Sequence, residues 1–160
     1  MTSKDLPLPE RVSNSFKQLT LVAADLNSAS NELGQAISAI DAALQKLNLG
    51  VPTWVTFSSN DSEDHDFWHN DVGYAKVGTK WGIALRAVSG NYNWPDDAEV
   101  ESWLFNEAPR RLRIEGIAKI PDLLEALIKV SEETTEKIRT KTTHAKQLAF
   151  AITQAASERK

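Results

Sequence analysis

The chain has 160 residues, 41% of them apolar, a net charge of -4 and no cysteine. That length suffices for one ordinary hydrophobic core, and the lack of cysteine excludes a disulfide framework, a thiolate nucleophile and a thiolate metal site. No apolar run reaches the roughly 18 residues of a membrane span, and the polar, proline-bearing stretch from Met1 to Arg11 does not resemble a signal peptide, so a cytoplasmic protein without membrane contact is expected.

Charge is unevenly spread. Residues 1–50 carry four basic and five acidic groups, residues 51–107 three and ten, and residues 108–160 eleven and seven. The acidic middle would be repelled by phosphates and drawn to cations or basic protein surfaces, so no nucleic-acid partner is expected.

The first predicted element is a long helix over 8–49. Pro9 and Glu10 suit a first turn, and Gly50 with Pro52 closes the far end. Its stripe reads Val12, Phe16, Leu19, Ala23, Leu26, Ser30, Leu33, Ile37, Ile40, Leu44, Leu47. Steps of four and three average about 3.5 residues, the period of one helix winding on another. At about 60 Å such a helix needs a partner along its length. One flank of the stripe is also apolar, through Val22, Ala29, Ala36 and Ala43. This flank is the candidate face of a homodimer that packs two helical hairpins into a four-helix bundle.

Residues 51–105 predict a small β head of three or four antiparallel strands, since ten of the twelve aromatic residues fall there and the apolar period shortens to two. A strand is expected from Val51 to Ser58, then an acidic loop from Asn60 to Asp66. A hairpin of Val72–Val77 and Lys80–Val88 should turn at Gly78-Thr79 in type II′ geometry. Asn91 to Ser102 reads as a polar loop, followed by a short strand at Trp103–Phe105.

A short helix over 107–120 should break at Pro121, and a second long helix should run over 121–158. The second stripe is Ile117, Ile120, Leu124, Leu127, Ser131, Thr134, Ile138, Lys141, Ala145, Leu148, Ile152, Ala155. Set antiparallel, the two stripes align Leu26 with Ile138, Ser30 with Thr134 and Ala23 with Lys141. The expected fold is therefore α+β and a single domain: a long antiparallel coiled-coil hairpin with the sheet inserted between its helices.

Few constellations carry chemistry. His65 and His69 have the spacing of a helical zinc pair, with Asp66 where an acid would serve as base, but no long helix surrounds them. Asp96, Asp97, Glu99 and Glu101 read as a solvated acidic segment, and the glycines form no phosphate cradle. Arg110, Arg111 and Arg113 cluster at a helix start and should meet the acidic segment or an acidic partner. Trp54, Trp68, Trp94 and Trp103 are candidates for a recognition face. The leading expectation is a non-enzymatic scaffolding or interaction module, homodimeric, with a protein partner and no cofactor or metal. Alternatives are an acidic inhibitor or adaptor that imitates nucleic-acid charge, and a metal-dependent hydrolase built on His65 and His69.

Overall fold

The computed structural model describes residues 2–159, apart from the side chain of Ser3. In chain order come α1 (Leu8–Gln45), strands β1 (Thr53–Asp61), β2 (Asp66–Val77), β3 (Lys80–Asn91) and β4 (Trp94–Leu104), then α2 (Arg110–Gly116) and α3 (Ile120–Ser157). The chain divides into two compact units, one ending at Ala43 and one starting at Leu44.

The first unit is almost entirely α1. Glu10 stands in its first turn, where a negative charge favours the helix dipole. Val12, Phe16, Leu19 and Val22 are all exposed.

In the second unit the end of α1 is tied off by hydrogen bonds from Leu47 N to the Leu44 carbonyl and from Asn48 N to the Gln45 carbonyl. Asn48 (φ 49°) and Gly50 (φ 62°) then turn the chain through left-handed backbone, as expected for a helix stop. The sheet is an antiparallel meander in the order β1-β2-β3-β4. Gly78 has φ 62° while Thr79 stays out of the left-handed region, and Val77 pairs with Lys80, which is the expected two-residue type II′ link.

On β2, Val72 and Tyr74 point to one face together with Ile83 and Leu85 of β3, and all four are buried. α2 and α3 pack against the sheet and supply Leu112, Leu123 and Leu127 to this core. Approach at the end of α2 is close enough that a β-carbon on Gly116 would stand 2.9 Å from the Leu85 side chain. A bulge in β1 between Thr56 and Ser58 adds Phe57 to the same face, also near Gly116.

Three expectations need correction. The stretch from Asn91 to Ser102 is not a loop: β4 starts at Trp94, and Trp103–Leu104 is its end rather than a separate short strand. Its acids hid it, because an edge strand is protected from pairing with other chains by the very charges that make it look like a loop. The acidic segment from Asn60 to Asp66 likewise shrinks to a tight turn, with β1 reaching Asp61 and β2 starting at Asp66.

The third correction concerns the fold class. The chain has a long N-terminal helix, a four-stranded sheet after it, and then a C-terminal helix; the two long helices do not form an antiparallel hairpin. Leu26 is 46% exposed and Ile138 60%, so this pair is in no core, whereas Ile37 and Leu44 of the first stripe and Ile120 and Leu127 of the second are buried. The reason lies in α3, whose first turns serve the sheet. Their buried positions are Ile120 and Leu127 of the expected stripe and Leu123 beside it, whereas Leu124 of the stripe is exposed. Burial of Leu123 in place of Leu124 turns the apolar face of these turns toward the sheet without changing the period. The break before α3 falls at Lys119 (φ -98°, ψ 0°), with Pro121 in the first turn. The threonine-rich stretch fits the helix because Thr134, Thr135 and Thr142 each donate to the carbonyl four residues back.

Candidate functional site

Strand alternation puts His69, Asp71 and Gly73 of β2 on the sheet face opposite α2 and α3. Register then fills in the neighbours: Thr56 of β1 and Arg86 of β3 stand beside Asp71, and Trp54 of β1 beside Gly73. The Asp71 carboxylate is 1% exposed and accepts from Thr56 Oγ1 at 2.7 Å, His69 Nδ1 at 2.9 Å and Arg86 Nε at 2.6 Å. Arg86 is further held by Trp54, whose ring centroid lies 4.3 Å from the guanidinium carbon. Gly73 makes room for that indole, since a β-carbon there would collide with the Trp54 ring.

Burial by itself pushes the Asp71 carboxyl up, but the hydrogen bonds from Thr56, Arg86 and His69, with the charge of Arg86, outweigh it. The carboxyl is held below its ordinary value. A carboxylate so engaged is a structural anion. Its oxygens are committed to three donors, which leaves it poorly suited to abstract a proton from a substrate.

At one end of the sheet, Phe67 packs on Tyr92 with ring centroids 4.7 Å apart. Tyr92 donates its hydroxyl to Asp61 at 2.9 Å, a bond that raises the phenol above its ordinary value. Asn91 donates to Asp66 and to the Asp64 carbonyl, so the two turns at this end are pinned together.

The residues singled out from sequence scatter. Trp54 is on the Asp71 face, whereas Trp68 and Trp103 are on the opposite one, and Trp94, 67% exposed, begins the edge strand. The four tryptophans therefore form no single recognition face. Arg111 pairs with Glu115 on its own helix at 3.7 Å, and Arg113 Nε is buried without a hydrogen-bond partner among the described residues. His65 sits in the β1–β2 turn with φ 66° and His69 on β2, an extended run of about 13 Å rather than one helical turn. Among the described residues no group of three His, Cys, Asp or Glu is placed to hold a metal. Val22, Ala29, Ala36 and Ala43, the candidate dimer flank, are all exposed.

Asp71 and Arg86 are the residues sequence reading missed, and a signal for them existed. A two-residue turn at Gly78-Thr79 fixes Val77 opposite Lys80, and counting back along both strands sets Asp71 opposite Arg86. An apolar groove of about 430 Å³ lies between Leu44, Leu47 and Leu49 and the α3 residues Leu124, Leu127 and Ile128. No helix of the described chain is long and apolar enough to cross a membrane. Comparison of the chain with family models, with curated proteins and with solved structures finds no match.

Proposed function

We propose that the protein is a non-enzymatic interaction and scaffolding module that self-associates as a homodimer through its long helices. The observation that carries this reading is the run of exposed apolar residues on α1, Val12, Phe16, Leu19, Val22 and Leu26, at coiled-coil spacing on a 38-residue helix. A helix of this length draws its stability from a covered apolar face rather than from propensity, and a stripe of this kind in water is a contact awaiting a partner. The commitment of Asp71 to three donors supports a structural rather than a catalytic role for the sheet.

Light scattering across a concentration series tests it. Twice the chain mass of 17.7 kDa is expected, falling to that mass in Leu19→Glu with helicity retained. A wild-type species of single-chain mass at every concentration overturns the reading.

A second reading is favoured by the exposed acids Asp96, Asp97, Glu99 and Glu101 on the edge strand β4, which suit a basic cleft on another protein. Binding to a basic protein that weakens steeply with salt would select it.

A further inference from the structure

We infer that the partner of α1 is α3 of a second copy of the chain, paired antiparallel with Leu26 against Ile138. This inference rests on the self-association just proposed and adds its geometry. Both stripes are open outside the core: Phe16 and Leu26 on α1, and Ile138 and Leu148 on α3, are all exposed.

Register singles out one alignment. With Leu26 opposite Ile138, Phe16 meets Leu148, while the two interruptions of the second stripe, Thr134 and Lys141, meet Ser30 and Ala23. A slip of one heptad in one direction sets Lys141 on Phe16, and a slip in the other sets Leu26 on Ala145 and Phe16 on Ala155. The first slip buries a charge against a large apolar side chain and the second leaves two large side chains facing alanines, both of which the matched layers avoid.

Charge selects the pairing of helices. Residues 134–157 of α3 carry Lys137, Arg139, Lys141 and Lys146 against Glu136 alone, so α3 against α3 sets like charge on like. Over residues 8–30, α1 balances Arg11 and Lys17 with Glu10 and Asp25 and accepts a basic helix without that repulsion. Pairing α1 only with its own copy would leave the α3 stripe in water. Reciprocal pairing of α1 with α3 covers the exposed parts of both stripes under one two-fold axis.

The chain has no cysteine of its own, so introduced thiols report cleanly. Leu26→Cys and Ile138→Cys chains of distinguishable mass are prepared alone and by coexpression, oxidised mildly, and compared with a Leu19→Cys and Ile138→Cys mixture as the register control. Expected is a mixed disulfide, joining the Leu26→Cys chain to the Ile138→Cys chain, in about half of the dimers of the coexpressed sample, the share that random mixing allows. Neither variant alone should crosslink, and the control should crosslink several-fold less. Crosslinking of Leu26→Cys to itself, or of the control more than the test pair, in a sample of dimer mass overturns the pairing but leaves self-association standing. Single-chain mass by light scattering with no crosslink overturns both.

Discussion

The guanidinium of Arg86 lies 4.3 Å above the indole ring of Trp54, and its Nε donates to the buried carboxylate of Asp71 at 2.6 Å. Three adjacent strands are thereby joined on the face away from α2 and α3, by one charge stacked on one side and paired on the other. Asp71→Asn removes the charge and part of the acceptor capacity while Arg86 stays. The expected loss is about 2–4 kcal/mol by urea denaturation, the range for hydrogen bonds to charged groups and for broken buried pairs. Arg86→Lys should restore little, since an ammonium reproduces neither the planar stacking nor the guanidinium geometry.

The same carboxylate sets an acid limit. Asp71 is held below its ordinary value in the folded chain, so the unfolded state takes up its proton first as pH falls. The contribution of Asp71 is complete above the unfolded value of about 3.9 and is lost as pH drops through the lower folded value. The stability gap between wild type and Asp71→Asn should therefore be constant near neutrality and narrow below about pH 4. A gap that is the same at both ends of that range would contradict the assignment.

Gly73→Ala should cost about 1–3 kcal/mol, because the new methyl group occupies space taken by the Trp54 ring and has no room to relax into. Trp54 would be displaced from Arg86, and the change should appear in the near-ultraviolet circular dichroism as well as in stability. Gly78→Ala meets no neighbour at all, yet should cost about 1–2 kcal/mol through its left-handed backbone alone, with the aromatic signal unchanged.

Leu123→Ala and Leu26→Ala separate the core from the contact surface. Leu123 is fully buried under the sheet, and its truncation should cost about 2–5 kcal/mol at any protein concentration. Leu26→Ala should change the stability of the dissociated chain by no more than about 0.5 kcal/mol. Its effect should grow with concentration as the dimer forms. A large, concentration-independent loss at Leu26 would mean that it is buried within the chain.

Local chemistry was legible in the sequence. Apolar spacing marked both long helices, Gly50 and Pro121 marked where the first stops and the second starts, and Gly78-Thr79 marked a type II′ turn whose register carries Asp71 to Arg86. These are decided over a few residues by backbone sterics and by the period of the apolar face. What covers each face was not legible. A period of 3.5 says that a stripe is buried by something, and only the tertiary structure decided that Leu123 rather than Leu124 of α3 goes under the sheet while Leu26 and Ile138 are left exposed on the single chain. The β4 strand was hidden for a related reason, since acids on an edge strand are selected by what must not pair with it. The Asp71 site needed three strands brought side by side, because a buried carboxylate is stable only where separate segments deliver a hydroxyl, an imidazole and a guanidinium to the same two oxygens.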